Sequence, residues 1–362
     1  MLTGEKSSRH FLKTFLYLAA AGCGPSFMGL CAGCREEKPK AAPGSVRAAV
    51  RADFEPAYLK LRRTGELRKR GEELWARMKR CNLCPRECGA NRIEGQKGFC
   101  QSTSELEVSS HHPHYGEENC LVGSGGSGTI FFTNCSLRCV FCINWEVSQG
   151  GRGRATGLDA FARMMIALQE RGCHNINIVT PTHYSPHILL GLDRAAAMGL
   201  RLPLVYNTCG WERMDVLRAL DGVVDIFMPD FKYSDGSMAS KYSSGAAAYP
   251  EGVKAAILEM HRQVGVARPA ADGLLYRGLI IRHLVMPNRV GGTKDVIGWI
   301  AANLPKDTYV NIMAQYRPCH RASEFPRIAR RITSREFCQA MTDATSAGLH
   351  RFDERPTHLA WP

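Results

Sequence analysis

From about residue 125 onward, short apolar runs alternate with longer amphipathic stretches, and this alternation narrows the fold more than any other feature of the chain. The apolar runs fall at 129–133, 175–179, 204–207, 223–228, 279–285 and 309–313, with helical periodicity between them at 158–171, 186–198, 253–264 and 294–303. Strands separated by crossovers of this length cannot be joined as hairpins, so six strand–helix units predict a parallel sheet. A doubly wound sheet and an open barrel both satisfy the pattern, and in both a ligand sits at the carboxyl ends of the strands. No internal repeat or low-complexity tract interrupts the alternation.

At 362 residues with 44% hydrophobic side chains the chain can bury a large core, and no apolar run reaches the roughly 18–20 residues of a membrane-spanning helix. The net charge of +13 invites a nucleic-acid reading, but residues 1–100 carry 20 Lys/Arg against 10 Asp/Glu, leaving 27 against 24 for the other 262. The basic excess is therefore N-terminal, as on a solvated helix, and no nucleic-acid partner is expected. Residues 1–34 read as a signal or lipoprotein leader. Lys6, Arg9 and Lys13 precede a short apolar stretch that ends in small residues before Cys23, with Cys31 to Cys34 a weaker second box and Ser8 in place of the first arginine of a twin-arginine motif. Residues 35–53, rich in Lys, Ala, Pro and Gly, read as a linker, and 54–80 as helices in which Leu67, Leu74 and Met78 recur at helical spacing.

The chain holds 15 cysteines, seven of them in two tight groups. Spacings of two and three residues suit metal thiolates better than a disulfide framework, which points to a reducing compartment. Cys135, Cys139 and Cys142 form C-x3-C-x2-C directly after the first of the six runs. Three thiolates on one loop can hold three irons of a cubane whose usual complement is four cysteines, and one iron then stays open for a ligand. Cys81, Cys84, Cys88 and Cys100, spaced C-x2-C-x3-C-x11-C, are four soft ligands for zinc or for a second iron–sulfur cluster. Cys173, Cys209, Cys319 and Cys338 are scattered and read as small buried apolar residues. The glycine-rich stretch 123–128 lacks the Gly-Lys-Ser/Thr of a phosphate loop and reads as a turn into the strand.

The cysteine spacing, the aromatic Phe141 one residue before the last cysteine and the position after a strand together resemble the radical S-adenosylmethionine (SAM) superfamily. In that family the open iron chelates the amino and carboxylate groups of SAM. Reduction of the cluster cleaves SAM to methionine and a 5′-deoxyadenosyl radical, which takes a hydrogen atom from substrate. The resemblance implies an α/β fold, a partial (β/α)6 TIM-like barrel with a small N-terminal helical Cys-rich extension. It also implies a 4Fe–4S cluster on Cys135, Cys139 and Cys142, with Phe141 near the adenine. The run Met228-Pro229-Asp230-Phe231-Lys232-Tyr233 looks like the Asp-x-Lys element of pyruvate formate-lyase activating enzymes, which implies that Asp230 and Lys232 contact SAM. Arg282 resembles the arginine that approaches the SAM carboxylate, a task suited to a bidentate guanidinium. Asn207 and Asn311, at the ends of the third and sixth runs, are expected to line the same pocket. Activating enzymes carry Gly-Gly-Glu after the second strand; this chain has Thr180-Pro181-Thr182-His183 there, with Thr180 and local carbonyls in the place of the Glu.

Residues 54 to 350 are similar to one subgroup, proteins resembling pyruvate formate-lyase activating enzymes, through Cys84-Pro85-Arg86-Glu87-Cys88, Tyr206-Asn207-Thr208 and Gln315-Tyr316-Arg317-Pro318 among other motifs. The organisation implied is a leader at 1–34, a linker at 35–53, a helical Cys-rich metal-binding extension at 54–120, a radical SAM core at 121–350 and a tail at 351–362. The implied partners are a low-potential electron donor of the flavodoxin or ferredoxin type and a glycyl-radical protein as hydrogen donor. A small molecule or another macromolecule is the alternative substrate, and a non-catalytic iron–sulfur electron-transfer protein is the alternative class. The expected location is the cytoplasm, where SAM and low-potential donors are found. A lipid on Cys23 would instead place the body outside the inner membrane.

Overall fold

The structure, a computed structural model, describes residues 53–353; the leader, nearly all of the linker and most of the tail lie outside the described residues. The strands are β1 (Glu107–His114), β2 (Ser127–Phe132), β3 (Arg154–Ala155), β4 (Ile176–Val179), β5 (Leu204–Thr208), β6 (Ile226–Pro229), β7 (Gly278–Leu284) and β8 (Tyr309–Met313). The helices are α1 (Ala57–Arg63), α2 (Glu66–Ala76), α3 (Asn119–Val122), α4 (Trp145–Ser148), α5 (Leu158–Glu170), α6 (Ser185–Ala197), α7 (Met214–Ala219), α8 (Gly236–Tyr242), α9 (Tyr249–Val264), α10 (Thr293–Asn303) and α11 (Ser334–Ser346). Among the described residues no helix is long and apolar enough to cross a membrane.

The strands form one sheet in the order β3-β1-β2-β4-β5-β6-β7-β8. From β2 and β4 through β8 they run parallel and in chain order. That order excludes the doubly wound alternative, in which strand order reverses at a switch point. The sheet is open, with β3 and β8 at its edges.

Successive residues of a strand face opposite ways, and here the two faces bury different things. Ile176, Ile178, Leu204, Tyr206, Phe227, Leu279, Ile281, Val310 and Ile312 belong to the main core with the helices. Their neighbours Val205, Ile226, Met228, Ile280 and Tyr309 pack in a second, smaller core around Cys120 and Leu121 of α3. The short helix therefore fills one end of the sheet's inner face. It is fastened there by Leu275 N donating to Cys120 O (2.8 Å) and Asn175 Nδ2 donating to Leu121 O (2.8 Å). Beyond this apolar layer the inward residues turn polar: Asn207, Asp230, Arg282 and Asn311 follow Val205, Met228, Ile280 and Tyr309 by two positions each.

Three expectations need correction. The segment 54–120 is not helical throughout, since β1 joins the sheet antiparallel to β2 and to β3. Its sequence, Glu-Val-Ser-Ser-His-His-Pro-His, offers one aliphatic residue and a proline, so it carries almost no strand signal and is built by pairing instead. β6 starts at Ile226, three residues late, because Val223 and Val224 are buried in the preceding turn. α9 begins at Tyr249, with Pro250 in its first turn where a missing N–H is harmless.

Candidate active site

The parallel strands deliver their carboxyl ends to one cavity of about 460 Å³. Cys135, Cys139 and Cys142 line it, and so do Phe141, Thr180, Asn207, Asp230, Lys232, Arg282 and Asn311. The sequence placed these ten residues on separate strand ends and one loop, and the structure brings all of them to one cavity.

The cysteine loop leaves β2 through Asn134 and turns again at Arg138, both in the left-handed region (φ 69° and 50°). Such conformations cost non-glycine residues about 1–3 kcal/mol each and persist only where surroundings over-determine them. Here Asn134 Nδ2 donates to Glu107 Oε2 (3.0 Å), Gln149 Nε2 to Cys139 O (2.8 Å) and Val140 N to Tyr242 O (2.9 Å). Two thiols have hydroxyl neighbours: Ser243 Oγ lies 3.1 Å from Cys139 Sγ, and Ser148 Oγ 3.2 Å from Cys142 Sγ. Burial pushes the Cys139 thiol up to about 12, with the Lys232 charge working against the rise, and burial raises Cys135 as well. Phe141 is buried, its ring 6.0 Å from that of Tyr316 and 6.3 Å from that of Tyr233.

The same cavity holds a charged lattice. Asp230 accepts from Lys232 Nζ (2.5 Å) and from Arg282 Nε (2.8 Å), and Arg282 Nη2 donates to Asn207 Oδ1 (2.5 Å). Burial disfavours the Lys232 charge, but Asp230 more than offsets it and holds the ammonium above its usual range. The Asp230 carboxyl is held low against its own burial by Arg282 and Lys232. Thr180, after β4, has φ 61°, a genuine outlier for a β-branched residue, and its N–H donates to Asn207 O (3.0 Å). Behind the wall Glu212 accepts from the hydroxyls of Thr182 and Thr208, and burial raises its carboxyl to about 7.

Two acidic residues of this cavity were missed. Glu117 lies 3.6 Å from Arg282, and Glu118 accepts from Asn311 Nδ2 (2.7 Å) while its Oε2, buried, has no partner. Both precede α3, in a stretch without periodicity, and reach the cavity only because α3 plugs the inner face. Cys209 also lines the cavity, Cys319 is half-buried and Cys338 is exposed, so these three are not the fully buried apolar residues their scatter suggests; Cys173 is buried.

Cys81, Cys84, Cys88 and Cys100 gather outside this cavity, on turns between α2 and β1. Gly98 lets the backbone approach two of them, since a Cβ there would lie 3.3 Å from Cys88 Sγ and 3.5 Å from Cys100 Sγ. Arg92, fully buried, sits 3.8 Å from Cys81 Sγ and donates to His183 O (2.8 Å). Among the described residues no three or more His, Cys, Asp or Glu side chains are arranged to hold a single metal ion, and the twelve cysteines there are free thiols.

No family model matches the chain. Over 280 residues, 75% of this chain and 76% of the other, it is 31% identical to an uncharacterized protein of Methanocaldococcus jannaschii. Among solved structures it is similar to Streptococcus suis SuiB bound to S-adenosylmethionine, with a TM-score of 0.43 and 12% identity over 63% of this chain and 50% of that one.

Proposed function

The chain belongs to the family of the uncharacterized Methanocaldococcus jannaschii protein, and we propose that it is a radical SAM enzyme holding a 4Fe–4S cluster on Cys135, Cys139 and Cys142. One observation carries the reading: the three thiols of C-x3-C-x2-C line the same cavity as the charged strand ends. The donor set fits a cubane, in which each thiolate takes a different iron, so the sulfurs need not converge on one ion. When bound, the cluster supplies the electron that cleaves SAM to methionine and a 5′-deoxyadenosyl radical.

The protein's own groups then have defined tasks. Ser243 and Ser148 stand beside Cys139 and Cys142, where hydroxyl hydrogen bonds stabilise thiolates. Lys232 and Arg282 offer cations for the carboxylate of SAM, and Asp230, Glu117 and Glu118 offer anions for its ammonium. A zwitterion needs both signs within one cavity. Phe141, backed by Tyr316, gives a flat apolar face for the adenine. The six parallel strands in chain order support a partial barrel as the scaffold. The second cysteine group, whose thiols are not arranged around a single ion as zinc requires, is read as an auxiliary cluster site, and a low-potential donor of the flavodoxin or ferredoxin type as the electron source. A glycyl-radical protein is the first substrate to screen. The twelve free thiols among the described residues favour the reducing cytoplasm as the working location.

The test is anaerobic reconstitution followed by reduction in the presence of SAM. The expected product is 5′-deoxyadenosine, lost when Cys135, Cys139 and Cys142 are replaced together by Ala. Undiminished product from that variant would overturn the reading.

A further inference from the structure

Arg86 belongs to the N-terminal cysteine group by sequence, lying two residues after Cys84 and two before Cys88. Its side chain belongs to the other group. Nε donates to Ser136 O (2.9 Å), the residue after Cys135. Nη2 donates to Ser243 O (2.9 Å) and Nη1 to Ser244 O (2.7 Å), just past the end of α8. Those two serines themselves grip the cysteine loop, Ser243 Oγ at Cys139 Sγ (3.1 Å) and Ser244 Oγ at Arg138 O (3.0 Å). The guanidinium is sandwiched between Phe99 (4.0 Å to the centroid), which precedes Cys100, and Trp211 (4.8 Å), two residues after Cys209.

We propose that Arg86 is a positioning residue that ties the N-terminal cysteine group to the Cys135–Cys142 loop and seats a fixed positive charge beside the cluster thiolates. The proposal rests on the cluster reading given above. The backbone it grips needs such a clamp: Asn134, Arg138 and Ser244 all have positive φ (69°, 50° and 52°). A planar fork with N–H groups at Nε and both Nη reaches three separate carbonyls on two elements at once, whereas the three donors of Lys all sit on one atom. The charge interacts with Cys84 and, across the junction, with Cys135 and Cys139. A fixed cation there favours the more negative, reduced cluster and so raises its reduction potential. Stacking on Phe99 and Trp211 helps hold the fork on these partners, which ties order in residues 84–100 to order in the cysteine loop.

The test uses the full chain with Arg86→Lys, which keeps the charge and loses the fork, and Arg86→Gln, which loses the charge and most of the fork. In the iron-free proteins, hydrogen exchange of the 135–142 amides should be several-fold faster in both variants than in the unsubstituted chain. After anaerobic reconstitution, the paramagnetic signal of the reduced cluster should change shape in both. Its midpoint should fall in the Gln variant and stay near the original value in the Lys variant. Unchanged loop exchange in either variant overturns the positioning role, whatever the iron content. An unchanged midpoint in the Gln variant overturns the charge role. If Arg86→Gln holds no cluster, the Lys variant decides, an altered signal supporting the proposal and an original one overturning it. An unsubstituted chain that takes up no iron brings down the cluster reading alone, because the exchange measurement still judges Arg86.

Discussion

Asp230 accepts from two cations at once, and this sets what its neighbours can do. Lys232 and Arg282 are partly buried charges held in place by one carboxylate, so each is already oriented when a ligand arrives and little ordering entropy remains to be lost. Removing Lys232 leaves Asp230 paired with Arg282, and the fold should survive. Lys232→Ala is therefore expected to weaken SAM binding about ten- to a hundredfold, the worth of one charge-assisted hydrogen bond, with iron per chain unchanged. Equilibrium binding with iron analysis checks this, and unaltered affinity in a folded variant would leave Lys232 a structural partner of Asp230 only. Lys232 was legible because Asp-x-Lys follows an apolar run. Glu117 and Glu118 were not, since nothing local distinguishes them from a solvated acidic pair; their place depends on α3 burying Cys120 and Leu121 against strands more than 80 residues away.

At the scale of elements, the parallel strands could be read because each buries both faces and so forms a short apolar run. β1 and β3 could not, because an edge pair with one aliphatic side chain takes its stability from backbone pairing to β2 rather than from its own sequence. The N-terminal helices are integral to the same core. Gly71 of α2 lies so close to α6 that a Cβ would meet Leu190 Cδ2 at 2.8 Å, and Tyr58 OH donates to Leu202 O (2.9 Å). Arg70 adds bonds to the carbonyls of Ala219 (3.3 Å) and Asp221 (2.7 Å). Leu67, fully buried in the main core, is the natural probe. Leu67→Ala should cost about 2–5 kcal/mol in urea unfolding, as for a cavity in a well-packed core. A loss below about 1 kcal/mol would mean that α1 and α2 dock loosely on a core that stands without them.

For the whole molecule, the buried titratable groups set how stability responds to pH, and they pull in opposite directions. Burial pushes His183 down to about 3 and His187 and His283 down to about 4. Between about pH 4.5 and 6.5 the unfolded chain protonates these three histidines and the folded one does not, so they favour unfolding as the pH falls. Burial pushes Glu212 and Asp225 up to about 7. In the same window the folded state keeps both carboxyls protonated and the unfolded state does not. Their contribution is full below the unfolded values near 4 and is lost as the pH rises through 7. For these five groups, three protons taken up on unfolding less two released leave one, a contribution of about 1.4 kcal/mol per pH unit, and the downward shifts of the less buried His111, His174 and His320 act in the same direction, so stability falls toward acid. Below about pH 4 the unfolded carboxyls protonate, and so do His187 and His283 in the folded state, so the two opposing contributions fade together. Glu212→Gln removes one opposing proton while keeping an acceptor for the Thr182 and Thr208 hydroxyls. The slope between pH 4.5 and 6.5 should then steepen by about 1.4 kcal/mol per pH unit. Urea unfolding of both proteins at several pH values across that window checks this. Parallel profiles would show that Glu212 is ionised in the folded state well below pH 7, with Thr182 and Thr208 outweighing the effect of burial.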